Sequence, residues 1–338
     1  MTLASIWFVL LFILLMGYAI LDGFDLGVGI LHPFARGERE RRISLNSIGP
    51  VWDGNEVWLL TAGGALFSAF PAVYATVFSG FYIALMLLLS ALITRAVAME
   101  MRSKVTSPTW RSAWDVAFFL GSLLPALLLG VAFGNILRGL PINAAGEYTG
   151  SFLSLLNPYA LLVGVLVAVA FSLHGAIYLA GKCDGEMRMR LETLVPRLWA
   201  AFALLYVAAT IASVFVAPFL FHGILASPLA WVLMIDTLLA SIAIIAFARA
   251  GRYKLAFLAS AVTIGSIIAL CGVSLYPRLV PSTASLDYSL SISNSASTPI
   301  SLWAMLIITL IGVPIMLIYT AFVYRVFRGK VVLHGDSY

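Results

Sequence analysis

With 338 residues, 62% of them apolar and only 10% charged, the chain carries more hydrophobic surface than one soluble core can bury, so lipid must solvate it. Its formal net charge of +5 is therefore read first against membrane topology, and nucleic acid is not an expected partner. Two cysteines, Cys183 and Cys271, fit neither a metal-binding spacing nor a disulfide framework and read as packing residues.

The first apolar run, residues 5–31, follows no basic leader and is too long for the core of a signal peptide, so it reads as a retained helix. Further runs able to cross ~30 Å of hydrocarbon at about 1.5 Å per residue follow at 51–70, 76–97, 116–137, 158–181, 199–221, 228–248, 254–275 and 300–324, which makes nine crossings. Nine crossings send alternate connections to opposite sides. Of the 20 Lys and Arg residues, 18 fall on one side, from Arg36, Arg39, Arg41 and Arg42 in the first connection, through Arg95 and Arg102, to Lys330; only Arg138 and Arg278 fall on the other. That bias puts the basic side in the cytoplasm and the N-terminus outside. Trp7, Trp231 and Trp303 fall near outer helix ends and Trp52, Trp110, Trp114 and Trp199 near inner ones, as interfacial rings do. The expected fold is thus all-α and polytopic. Residues 1–138 form a first four-helix bundle bearing the acidic motifs and 139–276 a second; 277–299 form an external, solvated Ser/Thr-rich loop, and 300–338 a ninth helix with a cytoplasmic tail.

Acids cost ~2.5–3.5 kcal/mol each at the centre of a spanning helix, so their presence there asks for a reason. Asp22 and Asp25 stand three apart on the first helix, Asp53 and Glu56 three apart on the second, a spacing that puts each pair on one face; Asp236 stands alone on the seventh. Counted from the inner helix ends, Asp53 lies roughly 4 Å deep, Glu56 and Asp25 roughly 9 Å, and Asp22 roughly 14 Å. Such steps suit a water-linked proton path from the cytoplasm. The same residues also suit a second reading, in which they cap helices or lock the two helices together through Asn55, Asn46 or the backbone. Gly23 and Gly27, with Gly63 and Gly64 on the next helix, allow the close helix contact that either reading needs. Asp236, without an acidic neighbour, reads as a structural hydrogen bond or a partner contact. Only four histidines exist, His32, His174, His222 and His334, and only His174 is well inside a helix, which is thin support for a haem ligand. P-loop, Rossmann and HExxH patterns are absent from the sequence.

The run Tyr18 to Gly29 (Tyr-Ala-Ile-Leu-Asp-Gly-Phe-Asp-Leu-Gly-Val-Gly) and the run Gly49 to Leu59 (Gly-Pro-Val-Trp-Asp-Gly-Asn-Glu-Val-Trp-Leu) resemble subunit II of bacterial cytochrome bd-type ubiquinol oxidases. The likeness continues through Thr61 to Phe67, Phe78 to Tyr82, Gly130 to Asn135 and Leu156 to Pro158, and more loosely to Tyr276 and Pro277. It implies a complex of the bacterial cytoplasmic (inner) membrane that oxidises membrane quinol and reduces dioxygen to water. Haems b558, b595 and d would sit in the larger partner, subunit I, and none would be bound by this chain. A structural quinone or lipid within the subunit and a one-helix accessory subunit are further implications. In the family, acids matching Asp25 and Asp53 belong to a proton route at the subunit boundary. Asp22 and Glu56 join them here by spacing alone, with Gly23, Gly27, Trp52 and Asn55 as packing or supporting residues. Two other readings stay open: a proton-coupled secondary transporter, although the acidic motif is not duplicated in the second half, and a haem held by His174 itself.

Overall fold

The computed structural model describes residues 2–333, so His334 lies outside the described residues. Within them the chain runs α1 (Leu3–Leu31), α2 (Gly37–Ile48), α3 (Trp52–Ala69), α4 (Pro71–Gly80), α5 (Tyr82–Arg102) and α6 (Pro108–Arg138). It continues through α7 (Pro158–Lys182), α8 (Gly185–Val216), α9 (Pro228–Arg249), α10 (Tyr253–Leu275), a short antiparallel pair β1 (Arg278–Val280) and β2 (Leu290–Ser291), and α11 (Pro299–Val326).

Eight of these helices, α1 and α5 to α11, are long and apolar enough to cross a membrane. The segment expected as the second crossing, 51–70, forms one helix, α3, which is not among these eight, and the segment expected as the third, 76–97, is divided. Phe70 departs from helical backbone, and Pro71, which has no N–H to continue the ladder, opens α4; a second break at Phe81 separates α4 from α5. Asp53, Asn55 and Glu56 dilute the apolar character of α3.

Side-chain caps set the entry of several helices. Thr2 caps α1 by accepting from Ser5 N, and Asn157, Ser227 and Thr298 cap α7, α9 and α11, each followed by a proline at the first helical position, where the missing N–H has no intrahelical partner to lose. All four begin at the same end of the molecule, where Trp7 Nε1 donates to Leu302 O (3.0 Å), Ser5 Oγ meets Tyr276 OH (3.1 Å) and Ser297 N donates to Ala69 O (2.9 Å). Trp7 is therefore a buried packing residue, not the interfacial anchor its position suggested, whereas Trp231 and Trp303 remain exposed.

At this end the connection between α6 and α7 and the segment after α10 hold one another. Leu140 N donates to Pro281 O (2.9 Å), Ser282 Oγ to Ile142 O (2.8 Å), and Thr76 Oγ1 of α4 to Gly146 O (2.7 Å). Ser282, Ser289 and Ser295 are buried. The segment 277–299 is thus a packed cap with strand pairing rather than a solvated connector. Its serines satisfy backbone groups that would otherwise be buried without partners.

The other end gathers the basic connections. Arg190 pairs with Glu40, Arg102 with Glu38 (3.0 Å), and Lys182 Nζ donates to Phe327 O (2.8 Å). Cys183 is buried there, and burial pushes its thiol up to about 11, as suits an inert packing residue.

α1 is the hub of the packing and touches α3, α6, α7, α10 and α11. A Cβ on Gly27 would stand 1.8 Å from Phe171 O, and one on Gly23 would stand 2.8 Å from the Phe171 ring, so both glycines serve the contact of α1 with α7. Gly63 and Gly64 meet nothing within 4 Å and lie away from α1. The expected pairing of these glycines between the first two helices is therefore wrong: Gly23 and Gly27 of α1 face α7, and Gly63 and Gly64 of α3 do not pack against α1.

Candidate functional site

Asp22 and Asp25 of α1 and Glu56 of α3 gather about Arg95 of α5 and Asn55 of α3, not as an evenly stepped ladder. Asp22, Asp25 and Arg95 are each 0% exposed. Arg95 Nη2 donates to Asp22 Oδ1 (2.8 Å) and its Nη1 to Asp22 Oδ2 (3.2 Å), a two-pronged contact, while Nη1 also reaches Glu56 Oε1 (3.2 Å). One guanidinium thus ties three helices through two carboxylates. α5 is brought close enough by Gly121 of α6, where a Cβ would lie 2.7 Å from Arg95 N and 2.9 Å from Ala91 O.

The sequence reading placed Arg95 among the basic residues of the inner boundary. α5 runs five residues further than the expected helix, to Arg102, which draws Arg95 nearly two turns inside. Asp22 and Glu56 thus have a cationic partner, which the sequence reading did not assign to them.

Asp25 is held differently. Asn55 Nδ2 donates to its Oδ2 (2.7 Å) and to Leu21 O (3.2 Å), and Asn55 Oδ1 accepts from Tyr324 OH of α11 (3.1 Å). The other carboxyl oxygen, Oδ1, is buried and has no hydrogen-bond partner among the described residues. Tyr18 OH, Trp58 Nε1 and Arg95 Nε are buried in the same condition. Four such polar atoms in one helix cluster make this the part of the interior best suited to ordered water.

Asp53 does not join the group. It is exposed on the open face of α3, although Glu56 three residues on is partly buried against Arg95. Three residues on a helix advance about 300°, which leaves the two side chains some 60° apart, enough to turn one inward and the other out. Trp52 is half-buried against the core near the basic end, beside Val51.

A second cluster was not foreseen. Asp115 of α6 accepts from Arg102 Nε (2.5 Å) and Arg41 Nη1 (2.8 Å) and contacts His32 Nε2 (2.6 Å), and Arg102 forks onto Glu38 (3.0 Å). Hydrogen bonding from Arg102 holds the Glu38 carboxyl below the usual carboxylate range. Asp115 fell one residue outside the expected fourth helix, so the sequence offered no reason to weigh it.

Asp236 accepts from Ser266 Oγ (2.5 Å), in keeping with a structural hydrogen bond. His174 is 0% exposed, with Nδ1 at 2.9 Å from Ser260 Oγ, Nε2 at 3.1 Å from Ile20 O, and its ring stacked on Phe257 with centroids 4.4 Å apart. Both ring nitrogens are committed within the protein, so this residue does not fit an axial haem ligand. His174→Ala in the assembled membrane complex is accordingly expected to leave any haem absorption spectrum unchanged while lowering the melting temperature; loss of a haem band would reverse that assignment.

Residues 3–327 match the family Cytochrome bd terminal oxidase subunit II. The chain is 40% identical to the probable cytochrome oxidase subunit 2 of Haemophilus influenzae and 38% identical to the cytochrome bd-I ubiquinol oxidase subunit 2 of Escherichia coli K12, in each case over 97% of this chain and 95% of the relative. It is 35% identical to the cytochrome bd ubiquinol oxidase subunit 2 of Bacillus subtilis, over 98% and 97%. Its fold is similar to a chain of the bd oxidase from Geobacillus thermodenitrificans, with a TM-score of 0.81 at 20% identity, covering 97% of this chain and 99% of that one.

Proposed function

Because the chain belongs to the cytochrome bd terminal oxidase subunit II family, and so to an oxidoreductase complex of the membrane with a partner subunit I, we propose that it scaffolds that partner without holding haem and delivers protons to it from the cytoplasm. In this reading haems b558, b595 and d and the oxidation of quinol belong to subunit I. The engagement of both His174 nitrogens supports the haem-free role.

The basic end is the cytoplasmic one in this proposal, with the N-terminus outside. α3 then counts as a ninth crossing: it starts beside the basic connections and ends where Ala69 O meets Ser297 N. The helices up to residue 138 and those from 139 to 276 form two four-helix groups joined along α1, α6 and α7, with α11 as the ninth spanning helix.

One observation carries the proton role: a fully buried carboxyl, Asp25, with one oxygen anchored by Asn55 and the other unpartnered, beside a cluster in which two further carboxyls, Asp22 and Glu56, share one guanidinium. With more acids than bases in a low-dielectric site, uptake of a proton reduces the buried net charge instead of raising it. Asp22 and Glu56, held by Arg95, set the field around the carrier, and Asp53 on the open face of α3 serves the boundary with the partner. Asp25→Asn keeps the size of the side chain and removes its capacity to carry a proton. In the assembled complex it is expected to lower oxygen consumption at least about tenfold, with cytoplasmic proton uptake falling in step. Wild-type rates of both would refute the role.

A further inference from the structure

We infer that the chain binds the phosphate group of an anionic membrane lipid at its basic end, in a cavity of about 350 Å³ between the ends of α2, α7 and α11. The site stands apart from the proton role of Asp25, since neither Asp25 nor Asn55 lines it. Its walls are Asn46 and Ser47 of α2, Tyr178 and Lys182 of α7, Tyr324 of α11, and the strap of residues 326–332.

The strap both closes the cavity and charges it. Gly329, at φ 107°, turns the chain off the axis of α11 in a conformation that side chains disfavour. Val331 N then donates to Lys182 O (2.9 Å), and Lys182 Nζ donates back to Phe327 O (2.8 Å). These bonds bring Arg328 and Lys330 to the cavity beside Lys182, and no acidic residue is among its described walls. Lys330 Nζ is matched by Asp184 Oδ1 (2.6 Å). The Arg328 guanidinium, by contrast, has neither a hydrogen bond nor an ion pair among the described residues. The Lys182 ammonium uses one of its three donors on Phe327 O. Two cations therefore face the space without a counter-charge among the described residues.

Basic pockets between spanning helices at the cytoplasmic side suit anionic headgroups, and the orientation proposed above puts this cavity at that side. A guanidinium forks onto two phosphate oxygens, and an ammonium adds a compact point charge to a third. The face leading to the cavity favours a lipid over free phosphate. Ile311, Ile315, Ile318, Phe322 and Val326 are exposed and recur every three or four residues, which sets them in one stripe along α11. Val326, the last of them, is itself a wall of the cavity. α11 is only lightly covered by the rest of the chain, so the stripe is open to an acyl chain along its length. With its headgroup in the cavity and a tail on the stripe, one lipid clasps α11 to the end of α7.

The test follows the melting temperature of the detergent-purified complex as dioleoyl phosphatidylglycerol is added, with haem absorption as the check on assembly. Dioleoyl phosphatidylcholine and inorganic phosphate at the same concentrations are the comparison arms. Phosphatidylglycerol is expected to raise the melting temperature with a defined half-saturating concentration. Arg328→Gln and Lys182→Gln are each expected to raise that concentration about fivefold. Arg325→Gln removes an exposed cation that does not line the cavity and is expected to leave it unchanged. Arg328 is exposed, so its variant keeps the fold, and half-saturation is read independently of where each variant starts to melt. Equal half-saturation in the parent, Arg328→Gln and Lys182→Gln would overturn the site. An equal rise with phosphatidylcholine would overturn recognition of an anionic headgroup, and an equal rise with inorganic phosphate would give the site to a free anion and overturn the lipid. Each of these results is separate from that of Asp25→Asn, which alone decides the proton role.

Discussion

Arg95→Leu is expected to abolish accumulation of the assembled complex. The substitution leaves the Asp22 carboxylate, fully buried, and the Glu56 carboxylate, 23% exposed at its side chain, without their shared cation. Stripping one partner from a buried ion pair costs about 3–5 kcal/mol, a large part of the ~5–15 kcal/mol that holds a typical domain together. Lysine is a poor replacement, since a single ammonium cannot fork onto both oxygens of Asp22 while also reaching Glu56. The double variant Arg95→Leu/Asp22→Asn is expected to recover part of the lost protein, because it removes the most deeply buried uncompensated charge. Detergent-extracted yield and melting temperature are the readouts. Wild-type values for Arg95→Leu would mean that the cluster contributes nothing to the fold.

Gly27→Val is expected to be comparably damaging, for a steric reason. Its Cβ would meet the Phe171 carbonyl oxygen at 1.8 Å and the carbonyl carbon at 2.6 Å, and from the other side a Cβ on Gly175 would meet Gly27 C at 2.5 Å. Both obstacles are backbone, which cannot rotate away as a side chain can. α1 and α7 must separate, and every contact of the hub helix loosens with them. The cost should reach or exceed the ~1–3 kcal/mol usual for overpacking. Gly181→Ala is the control: its Cβ would sit 3.6 Å from Tyr253 Cβ, an ordinary contact, and its melting temperature should stay near that of the parent. Equal melting temperatures for Gly27→Val and Gly181→Ala would show that the α1–α7 contact yields more easily than its geometry implies.

Most helices were legible in the sequence because lipid imposes a length and a polarity that few residues can disguise. Their partners were not. The spacing of Gly23 and Gly27 announced a close approach, but nothing local to α1 says that the approaching backbone is Phe171 and Gly175 rather than the neighbouring α3. Asp22 and Asp25 were found by their cost in hydrocarbon, and their different fates hang on residues 73 positions away in one case and 30 in the other. Arg95 escaped notice because a helix end misplaced by five residues turns an interior cation into a boundary one. Asp53 and Glu56 were grouped by a spacing that brings side chains near each other without making them point the same way. Asp115, His32 and Arg102 form a network that only folding brings together, since each alone reads as an ordinary helix-end residue.

The guanidinium that reconciles the two acids of α1 and α3 is synthesised last of the three. Asp22 precedes Arg95 by 73 residues, an interval of about 4–15 s at ordinary rates of translation. Through that interval the Asp22 carboxyl, joined part-way by that of Glu56, 39 residues before Arg95, is without its counter-charge. Full compensation of the buried charge in the amino-terminal third therefore waits on the arrival of α5.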